Sequence, residues 1–477
     1  MVSDGLGERP PLTRRVKGLY GLGSVSTGLV TRSLSAFMLL FYSQVLGVPA
    51  AQVAGVIALV TLFDTVMDPI VGQVSDNFRS RLGRRHPFMY AGAIPTGAAF
   101  ALLWMPPAGF SHDQLLTWLL VCLLALRFSD TLFELPSISL APELTAQYEE
   151  RSVLIALRKG FEMAGGYLFV MAGYEIFMRE TPDGGGLTVR DGYMSYGLVG
   201  GLLIVLVVIA SALGTRKFVP WLVGPPARKI SPQVFVREAG QTLNSPPLWI
   251  MAMAGMLYST AVGLTQSLSI YFNLFFWQLS QAQVALLATV QIPASFLAVA
   301  LAPLLVKRFG KKAVTIVPTL IGLALTISPV TLRLMGIMPP NGHPIIYPLL
   351  LTEAVLGQIF LLIGVATMPA MLADVVEDVE VRTGRRAEGL IFSFENLARK
   401  FVSGFGVLIA GLALTFVAFP RQAKPGTVDA EPLLQLGMVW AGGISFFLCA
   451  SMVCIALFPI DKRRHEANLR WLAEAKA

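Results

Sequence analysis

Apolar residues come in long unbroken blocks, separated by short polar and charged segments. Tyr193 to Leu213 carries no charged residue, and neither does Phe88 to Phe110. A helix of about 20 apolar residues crosses a bilayer because it bonds every backbone N–H and C=O internally. Twelve such spans are predicted, over residues 18–46, 51–75, 87–106, 114–142, 153–178, 194–215, 248–277, 282–306, 313–334, 346–373, 390–419 and 433–459. The second, fourth, fifth and eleventh contain charges and are the weakest by hydropathy alone. The pattern predicts an all-α integral membrane protein.

Composition supports this. Of the 477 residues, 55% are hydrophobic and 14% charged, whereas soluble domains run at about 25% charged. The formal net charge is +8. In this setting it reads as loop charge facing anionic lipid rather than a surface for nucleic acid. With both termini cytoplasmic, 26 of the 37 Lys and Arg fall in cytoplasmic segments and six within spans. The opposite side holds Arg179, Arg190, Arg333, Arg421 and Lys424. That asymmetry sets an even number of helices in a cell inner membrane. Arg14, Arg15 and Lys17 precede the first apolar run as in a signal peptide. The run is too long for one and many spans follow, so it reads as an uncleaved helix.

The longest polar connection, 216–247, holds Pro220, Pro225, Pro226, Pro232, Pro246 and Pro247. It reads as a linker between a six-helix half over 1–215 and another over 248–459, with a cytoplasmic tail over 460–477. The halves echo each other. Phe41-Tyr42 before Gln52-Val53-Ala54 matches Tyr271-Phe272 before Gln283-Val284-Ala285. Arg81-Leu82-Gly83-Arg84-Arg85 matches Arg308-Phe309-Gly310-Lys311-Lys312, each after the second span of its half.

A charge at bilayer depth is costly unless paired or hydrated, which makes it a functional candidate. Asp64 and Asp68 lie at i and i+4, on one face of the second span. Two facing carboxylates require a cation between them or a proton on one of them. That is the chemistry of a Na⁺ or H⁺ coupling site, with a structural ion pair to an arginine as the alternative. On the fourth span, Thr131 offers a neutral oxygen beside Arg127 and Asp130, and Glu134 an acceptor for substrate. On the fifth, Arg158 and Glu162 stand as i, i+4 partners near Lys159, and on the eleventh Glu395 and Arg399 do the same. Lys400 is offset from that pair and would seek an acid elsewhere, where it would compete with the cation. Arg32 has no partner legible in the sequence, and Glu353 is a further acid within a span. At the cytoplasmic ends, Asp76, Arg84 and Arg85 face a second charged loop with Asp374, Arg385 and Arg386. Opposite charges there would latch two halves in one state and release them in another; the plainer reading is topology and solubility.

Cys122, Cys449 and Cys454 lie in apolar runs and read as small buried hydrophobes. His86, His112, His343 and His465 fall at or near loops and give no metal spacing. A membrane-embedded enzyme would need a nucleophile with a base, or a metal cluster. No GxSxG, HExxH or intramembrane histidine is present. A non-transporting sensor is the third class, and the intact acid pair argues against it.

At these residues the sequence resembles the glycoside–pentoside–hexuronide cation symporters, the melibiose-permease branch of the major facilitator superfamily. The matching pieces are Tyr20-Gly21-Leu22-Gly23, Asp64-Thr65-Val66-Met67-Asp68-Pro69 with Gly72, and Ser75-Asp76 through Arg85-His86-Pro87. Pro136 with Pro142, and Arg382 through Gly389, complete the likeness across both halves. The resemblance implies a major facilitator fold of twelve transmembrane helices in two halves and symport by alternating access. It implies that Asp64, Asp68 and Thr131 hold the cation (Na⁺ at the two acids, if sodium-coupled), and that Tyr20, Glu134, Arg158 and Lys400 serve the substrate. The expected substrate is a small organic solute such as a sugar or glycoside. Met67, Gly28 and Ile138 replace an asparagine beside the cation site, a sugar-binding aspartate and a stacking aromatic. The sodium-dependent lysolipid symporters are similar and keep the acids and the lysine, so a lysolipid or other amphiphile is the alternative. No cofactor beyond the coupling ion, no nucleic acid and a monomer in the bilayer are expected.

Overall fold

A computed structural model describes residues 10–145, 147–179, 186–222, 240, 242–384 and 387–474. Helix α1 covers Arg14–Val45 and α2 Ala50–Asn77. Next come α3 (His86–Leu103), α4 (His112–Leu144), α5 (Tyr148–Ala172, continuing as a π turn over Gly173–Phe177) and α6 (Asp191–Thr215). The second set is α7 (Pro246–Phe276), α8 (Gln281–Phe309), α9 (Lys311–Leu334), α10 (Ile346–Thr383), α11 (Glu388–Phe416) and α12 (Ala430–Leu457). A final helix, α13 (Lys462–Glu474), follows. Each of the twelve predicted spans is therefore helical.

Ten of these helices are long and apolar enough to cross a membrane by length and composition. The other two are α3 and α5, the third and fifth predicted spans. Helix α3 opens on His86-Pro87 and is rich in glycine and alanine; α5 holds Arg158, Lys159, Glu162 and Glu175. Both gain their place from packing rather than from hydropathy.

Contacts divide the chain into two compact units, the first holding α1–α6 and the second α7–α13, with 280–285 and 420–424 grouped with the first. The same pairings recur in both. In the first unit α1 packs on α5 and α6, α3 on α4 and α6, and α2 on α4. In the second, α7 packs on α11 and α12, and α9 on α10 and α12. Ala294, Ala298 and Ala302 of α8 bury against Ile359 and Ile363 of α10. Adding six to each helix number converts one pattern into the other, as a parallel internal repeat requires. Helices α1 and α7 also both end in a π turn, over Phe41–Val45 and Phe272–Phe276, where the echoed aromatics lie.

The charged repeat is structural as well. Gly83 and Gly310 both adopt φ of 81°, a left-handed value that favours glycine. After Gly83, Arg84 reaches Glu143 at the end of α4, 2.8 Å away. After Gly310, Lys311 reaches Asp374 on the corresponding helix α10, at 2.6 Å.

Three expectations need correction or completion. Cys122 is buried, but Cys449 is exposed and Cys454 partly so; outward faces of spans meet lipid, where a thiol is tolerated. Helix α10 is not continuous. It breaks at Thr367, because Pro369 has no N–H for the Val365 carbonyl, and restarts at Met368. The tail expected over 460–477 is helical through Glu474. Most of the expected linker, 223–239 and 241, lies outside the described residues, as do Arg385 and Arg386.

Candidate functional site

Helix α2 carries Asp64 and Asp68 one turn apart. Asp64 is buried and Asp68 half-buried. Pro69 follows directly and supplies no N–H to the Thr65 carbonyl, which adds a free oxygen beside the pair. Helix α4 packs on α2 and brings Thr131 between the acids. Its hydroxyl lies 3.3 Å from Asp64 Oδ1 and 3.1 Å from Asp68 Oδ1. One hydroxyl proton serves one acceptor at a time. The second carboxylate oxygen then faces the hydroxyl's lone pairs, an arrangement suited to a shared positive charge. All three residues expected at the cation site are thus brought together.

Along α4, Ser137 stands three residues after Glu134, which itself stands three after Thr131, so each adjoins the next on the helix surface. Tyr20 of α1 donates its hydroxyl to the Ser137 carbonyl at 2.9 Å, and Arg158 Nη1 donates to Ser137 Oγ at 2.5 Å. The Arg158 guanidinium sits 5.7 Å from the Tyr20 ring centroid. Ser24 Oγ lies 2.6 Å from the Arg158 carbonyl. Tyr20 and Arg158, predicted from separate motifs, form one buried cluster joining α1, α4 and α5. Glu134 stands half-buried on α4 between this cluster and Thr131. Lys400 is half-buried on α11 in the second unit.

The expected Arg158–Glu162 pair does not form. Glu162 takes Lys159 at 2.6 Å instead. Arg158 keeps 8% of its surface exposed, and no carboxylate pairs with it among the described residues. Glu395 and Arg399 do pair, at 3.0 Å, over Gly255 of α7, where a Cβ would lie 2.9 Å from the carboxylate. Arg32 rests on the ring of Tyr167 at 4.5 Å, a cation–π contact that no sequence spacing discloses.

Gly28 lies where α1 crosses α5. A Cβ there would fall 1.9 Å from the Glu162 carbonyl oxygen, and one on Gly166 would fall 2.5 Å from the Gly28 carbonyl. This close crossing leaves no room for any side chain at position 28, so an aspartate could not read a sugar from it.

At the junction of α2 and α3, Arg85 bridges Asp76 at 2.5 Å and Glu143 at 3.0 Å, and Arg84 also reaches Glu143. Sequence reasoning missed Glu143, which reads as an ordinary acid at a helix end; its equivalence to Asp374 in the repeat was the available signal. Asp374 binds Lys311. Each described residue of the expected latch therefore has a partner inside its own unit. Nearby, Lys17 at the start of α1 binds Glu150, in the first turn of α5 ahead of the predicted span, at 2.7 Å. Hydrogen bonds from Lys17 and Thr145 hold the Glu150 carboxyl below the usual carboxylate range.

Residues 19–462 match the family described as MFS/sugar transport protein. The chain belongs to that family. Among curated relatives, it is 22% identical to an isoprimeverose transporter of Lactiplantibacillus pentosus, over 93% of this chain and 88% of the relative. It is 23% identical to a glucuronide carrier protein homolog of Escherichia coli, over 93% and 92%. Solved structures share the fold. A bacterial homologue of the iron transporter ferroportin, inward-facing, superposes with a TM-score of 0.64 at 13% identity, over 94% of this chain and 99% of that one. The nucleoside transporter NupG gives 0.62 at 13%, over 94% and 100%. As a member of the MFS/sugar transport family, the chain is a multi-pass membrane transporter, and the resemblance read from its motifs is sound.

Proposed function

We propose that this transporter is a cation-coupled symporter of the inner membrane, with both termini cytoplasmic, working by alternating access. Asp64, Asp68 and Thr131 hold the coupling ion, Na⁺ or H⁺. The observation that carries this is the Thr131 hydroxyl placed within 3.3 Å of both carboxylates. Without a cation the acids repel each other; with one, the two helices α2 and α4 are drawn to a common centre. Tyr20, Glu134, Arg158 and Lys400 orient the substrate's polar part. Because Glu134 lies three residues from both Thr131 and Ser137 on α4, occupancy of the ion site bears on the residues at the substrate cluster.

The substrate is a small organic solute of the sugar or glycoside class, in line with the names of the relatives. A second observation narrows this. Arg158 is buried, and among the described residues it meets a serine and a tyrosine ring but no acid. A buried guanidinium is best matched by an anionic group. A glycoside bearing an acid group fits, and so does an anionic amphiphile such as a lysolipid. Gly28 speaks against recognition by the aspartate found at that position in melibiose permease.

Uptake into vesicles of glucuronides, neutral glycosides and lysolipids, with Na⁺, Li⁺ and proton gradients compared, tests this reading. Cation-dependent uptake lost in Asp64→Asn and Asp68→Asn supports it. Uptake unchanged in both removes the coupling role.

A further inference from the structure

A second cluster of titratable side chains lies at the tail. Beyond its break at Thr367, α10 continues over Met368–Thr383 and carries Asp374, Glu377 and Asp378. Helix α13 packs against this segment. Asp461 caps α13, accepting from the Arg464 backbone N–H at 2.8 Å, which fixes the helix start. Arg464 then anchors on Asp378, with Nη2 at 2.7 Å and Nε at 2.9 Å from Oδ1.

That anchor brings the next residue, His465, over two acids. Its Nδ1 lies 2.9 Å from Glu377 Oε2 and 3.2 Å from Asp374 Oδ1. Neither approach is aligned as a hydrogen bond: His465 Nδ1 and Glu377 Oε2 are both buried atoms without a hydrogen-bond partner. The imidazole nitrogen is thus close to two carboxylate oxygens yet bonded to neither. One ligand atom from each of the three residues lies within 4.8 Å of the others. Metal–ligand bonds of about 2.0–2.2 Å in a tetrahedron place ligand atoms about 3.4 Å apart. The observed separations of 2.9 and 3.2 Å come close to this. An imidazole with two carboxylates suits a borderline ion such as Zn²⁺ better than Ca²⁺ or Mg²⁺, which favour all-oxygen shells.

We propose that Asp374, Glu377 and His465 form a divalent transition-metal site, of the zinc class, that clips α13 onto the cytoplasmic end of α10. Lys311 is the competitor. Its ammonium lies 2.6 Å from Asp374 Oδ1 and opposes a second cation there. Its side chain is 31% exposed, so it is free to swing aside. The residues are separated by 88 positions between Glu377 and His465, which is why sequence spacing shows no metal motif.

The test uses the full chain, purified in detergent without a polyhistidine tag, and titrated with ZnCl₂ by calorimetry and with Co²⁺ by visible absorption. One saturable Zn²⁺ per chain is expected, with a thermal midpoint that rises with zinc. His465→Ala and Glu377→Gln should each weaken binding by at least about tenfold. His465→Cys should keep it, since a thiolate is also a zinc ligand. Lys311→Gln should tighten it. The Cys variant separates loss of a ligand from mere loosening of the tail. Absence of saturable zinc binding in the wild type overturns the proposal, as does equal affinity in wild type and His465→Ala.

Discussion

Neutralising one acid of the Asp64–Asp68 pair should weaken the coupling cation by about two orders of magnitude, and the size follows from the geometry. Both Oδ1 atoms lie within 3.3 Å of one hydroxyl, so they are at most about 6.4 Å apart. At an effective dielectric of about 20, two unit charges at that separation repel by at least about 2.6 kcal/mol. A monovalent cation about 3 Å from a carboxylate oxygen gains about 5.5 kcal/mol under the same conditions. Asp68→Asn removes one attraction but also the repulsion between the two carboxylates that the ion-bound arrangement has to overcome. The net loss is about 3 kcal/mol, or about 150-fold in affinity. Asp64→Asn should behave alike. In the double variant the second change no longer relieves any repulsion, so the losses combine non-additively, with a coupling of about 2.6 kcal/mol. The assay is the half-saturating cation concentration for substrate uptake or thermal stabilisation, titrated with Na⁺ at fixed pH and with pH in the absence of Na⁺. Values within about fivefold of wild type in both single variants would contradict an ion held by both carboxylates.

Arg158→Gln should raise the KM of an acid-bearing substrate about tenfold, while leaving the response to cation intact; a kinetic comparison of charged and neutral glycosides reads this out. Gly28→Ala should lower the thermal midpoint by an amount matching about 1–3 kcal/mol of overpacking, since its Cβ would lie 1.9 Å from the Glu162 carbonyl. Glu143→Ala removes the carboxylate that Arg84 and Arg85 share, leaving Arg85 its bridge to Asp76, and should destabilise by about 3 kcal/mol in a thermal unfolding series. Lys17→Met probes pH. Glu150 has its folded-state pKa lowered, so its pair adds stability above the usual carboxylate range and loses it as pH falls through the lowered value. The variant should differ from wild type at pH 7 and converge with it in acid.

Much of the helix layout was legible because lipid imposes a simple rule: a long apolar run must become a helix. The grouping of Asp64 with Asp68 was legible for a related reason. Acids spaced i, i+4 in an apolar helix share a face whatever surrounds them, and Thr131 on a neighbouring span is brought against both. Arg158 shows where that logic stops. Its sequence partner Glu162 was geometrically available, but Lys159 sits one position nearer to it, while Ser137 and Tyr20 of two other helices claim the guanidinium. Gly28 reads in the sequence as the loss of a sugar-binding aspartate, and only the packing shows α5 pressed against it. The tail helix escaped notice because eight of the 13 residues of α13 are charged or polar and its apolar ones form no long block; its docking rests on acids contributed by α10.

A cation gradient acting through Asp64 and Asp68 should drive substrate into proteoliposomes that hold the purified chain, with a Na⁺ or proton gradient as the sole energy source. Uphill accumulation of a glycoside in the wild type, collapsing when the gradient is dissipated and absent in the Asp64→Asn/Asp68→Asn protein, is the expected result. Flux that proceeds downhill alone, at the same rate with and without a gradient and in both proteins, would contradict it.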